Sequence, residues 1–184
     1  MRSLLFIPAD DERKLAKGTG SGADVLLLDL EDAVSAPRKA AARPICAEYI
    51  ARTRALPERP RLIVPIKGLD TPYWADAPAG IIPARPDGVM LPKPRGGEDV
   101  HTLSVALDHA EQGAGIENGT TKIIAIATET AISLINMPSY VGASTRLAAL
   151  TWGAEDLSAA VGARTNREAD GRTWTSPFRL ARDL

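Results

Sequence analysis

Residues 22–39 read GADVLLLDLEDAVSAPRK: an apolar run from Val25 to Leu28, then three carboxylates in four residues, Asp29, Glu31 and Asp32. A surface helix tolerates an acidic cluster at little cost. A strand aimed through a core holds charge only at its end, where water, a metal or a cation can meet it. The stretch therefore reads as a buried strand that delivers negative charge to one rim of a sheet.

The same pattern recurs along the chain. Apolar runs at 3–8, 24–30, 61–66, 87–93, 121–128 and 147–153 are bounded by Gly, Pro or charge and read as strands. Most lack polar alternation, which suits strands covered on both faces, as in a parallel sheet. Helix composition fills 11–18, 36–55, 98–113 and 130–144, so the chain predicts repeated strand–helix units with crossovers of one hand. Polar residues follow the strands: Lys67 and Asp70 after the third, Lys93 and Arg95 after the fourth, Glu129 after the fifth, Glu155 and Asp156 after the sixth. The C-terminal ends of parallel strands are where an α/β barrel or an open doubly wound sheet places its site. Pattern alone leaves both architectures open.

Composition sets the outer limits. The 184 residues are 45% hydrophobic, enough for a sizeable core, and no linker or repeat divides 1–184, so one domain is expected. A formal net charge of −1 supplies no global field for nucleic acid or an anionic membrane, and neither is expected as a partner. The single cysteine, Cys46, excludes an intrachain disulfide and fits a reducing compartment. With no apolar run long enough to span a membrane and an N-terminus charged too early for a secretory signal, the expected location is cytoplasmic.

Six segments in order carry a resemblance: RSLLFIPADDERKLAK, GADVLLLDLEDAV, GLDTPYW, VMLPKPRGGEDV, ATETAISLIN and RLAALTWGAEDLSAAVGAR. Together they resemble the citrate lyase β-subunit-like branch of the HpcH/HpaI aldolase family, from Arg2 to the end of the chain. The resemblance implies a (β/α)8 barrel of the TIM type, a magnesium ion, and carbon–carbon bond cleavage or formation on a hydroxyacyl or keto acid substrate, often a coenzyme A thioester. It implies metal ligation by Glu129 and Asp156, whose carboxylates suit Mg²⁺. It also places Glu31 and Asp32 beside the metal and leaves Asp29 either structural or functional; the GAED turn would offer the backbone N–H groups of Ala154, Glu155 and Asp156 to a substrate carboxylate, with Gly153 expected among the substrate-binding residues. Arg2 and Lys93 are expected to meet substrate anions, and Lys39 and Arg43 to lie toward a nucleotide tail.

Two features depart from the family pattern. The third strand usually carries an arginine, one further residue, then an asparagine before its LDT turn; here Pro65 and Lys67 fill those places. Positions 65 and 67 share a strand face, so Lys67 is the expected catalytic cation, although an ammonium lacks the planar fork of arginine. Six strands are read where a closed barrel needs eight. The expected fold is thus a barrel lacking its C-terminal strands, and a homo-oligomer is expected to cover the exposed edges. A lyase of the citryl- or malyl-coenzyme A type is the leading reading, and a noncatalytic binding or assembly subunit is its alternative. An unrelated phosphate-binding protein is disfavoured, because no GxGxxG or GxxxxGK[ST] follows any strand.

Overall fold

In a computed structural model, residues 1–30, 34, 36–71, 74 and 76–184 are described. The six apolar runs form β1 (Leu4–Pro8), β2 (Val25–Asp29), β3 (Arg61–Pro65), β4 (Gly88–Leu91), β5 (Lys122–Ile126) and β6 (Leu147–Thr151). All neighbours are parallel, in the order β1-β2-β3-β4-β5-β6. A doubly wound sheet would reverse its order partway, whereas here each strand lies beside its predecessor, as in a barrel wall. Strands β1 and β6 are the two edges, so the barrel is incomplete among the described residues.

Helices α1 (Glu12–Thr19), α2 (Lys39–Arg54), α3 (Asp76–Ile81), α4 (Gly97–Gly113) and α5 (Ala131–Ile135) lie between the strands, and α6 (Glu155–Ala160) and α7 (Ser176–Asp183) follow β6. The helix expected over 130–144 breaks early: α5 stops at Ile135, and a 3-10 turn, Met137–Tyr140, takes over. Pro138 is the reason, since its ring would clash with a carbonyl one turn back and it has no N–H to continue the helix. Among the described residues no helix is long and apolar enough to cross a membrane.

The period of two along each strand sorts the core into two faces. Ile7, Leu26, Leu28, Leu62, Val64, Val89, Leu91, Ile123 and Ala125 pack toward the helices. Val25, Leu27, Ile63, Met90 and Ile124 make a second cluster on the concave side, with Ile126 and Ala149 against it. The edges are thinly covered: Phe6 is 56% exposed, and Leu4, Leu5 and Leu150 are also open to solvent.

Pro65 leaves a mark on the ladder. Arg61 N–H donates to Asp24 on the β2 side, whereas Ile66 N–H donates to Met90 on the β4 side. Odd positions of β3 therefore face β2, and the N–H that proline lacks would have pointed there. The β2–β3 pairing stops at Leu27↔Ile63, while β1 and β2 stay paired through Pro8↔Asp29.

Charge at the N-terminal rim is paired locally. Asp87 takes Arg59 Nη1 at 2.5 Å and Nη2 at 2.8 Å, Arg54 Nη1 at 3.3 Å and the N–H of Leu62 at 2.8 Å. More deeply, the stripe of α4 that buries Val100, Leu103 and Leu107 continues onto Glu111. A carboxylate on an apolar stripe needs a cation and donors. Arg146 supplies the cation, with Nη1 and Nη2 donating to Glu111 at 3.0 and 2.6 Å, and the N–H groups of Thr121 and Gly119 complete the set at 2.6 and 2.8 Å. Arg146 also meets Asp108. Arg146 is 2% exposed and Glu111 fully buried.

Burial works to raise the Glu111 carboxyl, but Arg146 and the two loop N–H groups outweigh it and hold the group at about 2, below its ordinary 4.5. A depressed folded value means a contribution that is complete above pH 4.5 and is lost as pH falls through about 2. Arg146→Met should therefore cost about 3–5 kcal/mol near neutral pH and flatten the acid limb of the stability profile. Urea denaturation across that range measures both, and equal stability of the two proteins at pH 7 would mean the cluster is energetically idle.

Candidate active site

At the C-terminal ends of the strands lies an open cavity of about 420 Å³, lined by residues that include Phe6, Asp29, Pro65, Lys67, Asp70, Lys93, Glu129 and Asp156. Four of the residues expected to do chemistry, Lys67, Lys93, Glu129 and Asp156, thus converge there together with Asp29, from β2, β3, β4, β5 and β6. Glu31 and Asp32 lie outside the described residues. Asp29, which ends β2, is buried at the cavity wall, and Lys67 is half-buried two residues beyond Pro65.

Glu129 is brought to the cavity by a clasp between β5 and β6. Beyond the strands the Ala127 N–H donates to the Thr151 carbonyl at 2.9 Å. Thr128 Oγ1 then accepts from the Gly153 N–H at 2.9 Å and donates to the Gly153 carbonyl at 3.1 Å. The next residue after Thr128 is Glu129, on the cavity wall, and Asp156 reaches the same wall three residues beyond Gly153. A side chain at 153 would crowd the site, because a Cβ there would stand 3.1 Å from Glu129 Cγ and Oε1 and from Ile126 Cγ2, which would have to give by a few tenths of an ångström. Gly153, expected among the substrate-binding residues, has its N–H committed to Thr128.

The ordinary role of a polar residue at this place is to cap the following helix. Thr130 does that work, accepting from the Ser133 N–H at 3.2 Å and donating to the Pro94 carbonyl at 3.0 Å. Neither Thr128 nor Glu129 is needed as a cap. The signal was present in the sequence, because Thr130 stands immediately before the apolar run of α5.

Glu129 Oε2 instead accepts the Lys93 backbone N–H at 2.8 Å, and Lys93 Nζ lies 3.1 Å from Asp156 Oδ1. Burial pushes the Glu129 carboxyl above its ordinary value, the Lys93 N–H opposes the rise, and the neighbouring Asp156 carboxylate adds to it. Asp156, first through its hydrogen bond, holds the Lys93 ammonium above the usual lysine range, with Glu129 and Asp70 adding to it. Two carboxylates meet from adjacent strand ends, one buried and one 47% exposed on its side chain. Among the described residues no group of three or more His, Cys, Asp or Glu side chains forms a metal cage. The pair still fits Mg²⁺, which takes one or two carboxylates and keeps several waters.

Other expected residues fall elsewhere. Arg2 is a correction: it precedes β1, so it sits at the N-terminal rim, where it pairs with Asp24 at 3.6 Å, a strand's length from the cavity. Arg95 is clasped to Asp99, accepting partner of its N–H at 2.8 Å and of its Nη2 at 2.8 Å, at the start of α4. Ala154 precedes α6 and Glu155 opens it, so the N–H groups of Ala154, Glu155 and Asp156 lie where helical N–H groups have no intrahelical acceptor. The Glu155 carboxylate is exposed and lies 3.5 Å from Asn166 Nδ2. Arg43 lies within α2 beside Gly80 of α3.

Comparison with known proteins places this geometry. The family model for HpcH/HpaI aldolase/citrate lyase matches residues 2–173. Citrate lyase subunit beta of Leuconostoc mesenteroides subsp. cremoris is 31% identical over 171 residues, 93% of this chain and 55% of that protein. L-malyl-CoA/beta-methylmalyl-CoA lyase of Cereibacter sphaeroides (strain ATCC 17029 / ATH 2.4.9) is 32% identical over 170 residues, 89% of this chain and 51% of that protein. The chain spans about half the length of these curated relatives. Among solved structures, protein CitE from Mycobacterium tuberculosis in complex with magnesium and acetoacetate superposes with a TM-score of 0.74 at 30% identity, covering 98% of this chain and 65% of that one. The same protein with magnesium, acetoacetate and coenzyme A gives 0.73 at 30% identity, covering 98% and 58%.

The raised carboxyl of Glu129 has a stability consequence. A carboxyl raised in the fold loses stability as pH climbs from its ordinary 4.5 through its folded value, because the fold disfavours the ion. In the absence of divalent ions, Glu129→Gln should therefore be more stable than wild type at pH 7 by about 1 kcal/mol. The gap should close below pH 4.5. Thermal melts in chelator at both pH values check this, and a variant less stable at pH 7 would contradict it.

Proposed function

Because the chain belongs to the HpcH/HpaI aldolase/citrate lyase family, we propose that its cavity is the site of a Mg²⁺-dependent carbon–carbon lyase acting on a hydroxyacyl-coenzyme A or a short keto acid. The observation that carries the reading is the meeting of Glu129 and Asp156 at the ends of β5 and β6 beside the Lys93 ammonium. Glu129 and Asp156 would hold the ion. Bound there, it supplies positive charge for the substrate oxygen that turns negative when the carbon–carbon bond breaks.

The remaining work falls to the chain's own groups. Lys67, on the cavity wall, presents a second cation toward the same oxygen, from two residues beyond the place where relatives carry arginine. The N–H groups of Ala154, Glu155 and Asp156 orient the substrate carboxylate. Asp29, with Glu31 and Asp32 following it in the sequence, is the proposed acidic set that orients water and cationic side chains. The solved relative that holds magnesium, acetoacetate and coenzyme A together supports the substrate class.

A second reading, a binding or assembly subunit without turnover, is favoured by one observation: Pro65 removes the arginine and shortens the ladder beside it. In that reading the exposed apolar edge of β1, with Leu4, Leu5 and Phe6, is covered by a second copy of the chain.

Calorimetric titration with Mg²⁺ tests the metal assignment. Glu129→Gln and Asp156→Asn should each weaken binding by about tenfold or more, and unchanged affinity in both would sink it. Turnover of short hydroxyacyl-coenzyme A thioesters tests the lysine: Lys67→Ala should lower the rate by about 10²-fold and Pro65→Arg should raise it. No turnover by parent or variants would leave the assembly reading standing.

A further inference from the structure

We propose that the Lys93 ammonium is an internal stand-in for the divalent cation, holding its seat in the metal-free protein and exchanged out when the ion binds. This rests on the assignment of Glu129 and Asp156 as ligands.

Two carboxylates brought together, one of them buried, are costly unless a cation stands beside them. Lys93 meets both at once, through its backbone N–H to Glu129 Oε2 at 2.8 Å and its Nζ to Asp156 Oδ1 at 3.1 Å. It does so from a left-handed backbone, with φ at +51°. That conformation is rare for a residue with a side chain, and doubly so before a proline, here Pro94. A lysine held this way between Pro92 and Pro94 marks a position whose geometry is maintained at a cost.

The two contacts differ in what they survive. The backbone N–H stays on Glu129 whatever the side chain does. The ammonium is displaced in this proposal, because Mg²⁺ taking the Asp156 oxygen that Nζ now faces, at about 2.0–2.1 Å, repels a second cation beside it. The side chains of Lys93 and Asp156 are 44% and 47% exposed, so the ammonium has a path outward into the cavity. Ion binding is then an exchange of one cation for another on Asp156, and the free lysine weakens the apparent affinity for the ion.

The test uses the 184-residue chain and Mg²⁺ alone, by calorimetry and by thermal melts with and without saturating ion. Lys93→Gln should bind Mg²⁺ about two- to fivefold more tightly, the size of one half-exposed charge pair. Its metal-free form should melt below wild type, and it should gain more from the ion. Lys93→Gly, which suits the left-handed backbone, should likewise bind the ion more tightly, and Lys93→Arg, which keeps a cation there, should stay near wild type. Equal or weaker binding in Lys93→Gln and Lys93→Gly, while Glu129→Gln cripples it, would overturn the exchange and leave the metal site standing. No binding by wild type, Lys93→Gln or Lys93→Gly would overturn both.

Discussion

A sheet covered on both faces can carry charge only at its rims, and the architecture follows from how this chain distributes it. At the N-terminal rim three acids are matched at once: Asp24 with Arg2, Asp87 with Arg59 and Arg54, Glu111 with Arg146. At the C-terminal rim the balance is unfinished. Glu129 and Asp156 stand together with one lysine between them, and burial has already pushed Glu129 toward its neutral form. One rim stabilises the fold; the other holds two carboxylates close together at a cost that one half-exposed lysine only partly offsets.

That tension is maintained by small features away from the charges. The Thr128–Gly153 clasp keeps β5 and β6 in step beyond their last paired residues, and Gly153 leaves the space that the Glu129 side chain occupies. Thr130 caps α5 so that Glu129 need not. Trp152, which precedes Gly153, packs edge-on against Trp174, and Trp174 stacks on Phe178 of α7. The C-terminal segment thereby fastens the end of β6 from behind, tying the chain's last helix to the position of the site.

Most of the wall was legible in the sequence because its strands are short apolar runs stopped by charge, glycine or proline, and all six were found close to their observed bounds. Strand order was not legible, because barrel and doubly wound sheets bury the same kind of strand. Pairing in chain order decides between them, and the family's solved structures agree with it. Arg2 was misplaced because a motif near a strand says nothing about which end of the strand it occupies until the direction is counted. The Arg146–Glu111 pair was missed, although Glu111 extends the stripe of Val100, Leu103 and Leu107 and so announced a buried acid in need of a cation. Lys93 was seen as a surface cation for an anionic ligand; its left-handed backbone and its hold on Asp156 are tertiary facts that no local pattern carries.

The central claim is that the ends of β5 and β6 form a single divalent-cation seat kept by Lys93. Anomalous diffraction from crystals of this chain grown with Mn²⁺ tests it most directly. The account predicts one strong peak between the Glu129 and Asp156 carboxylates, with the Lys93 backbone N–H still on Glu129 and its ammonium withdrawn from Asp156. A peak elsewhere, or no peak with Lys93 still paired to Asp156 at saturating ion, would contradict it.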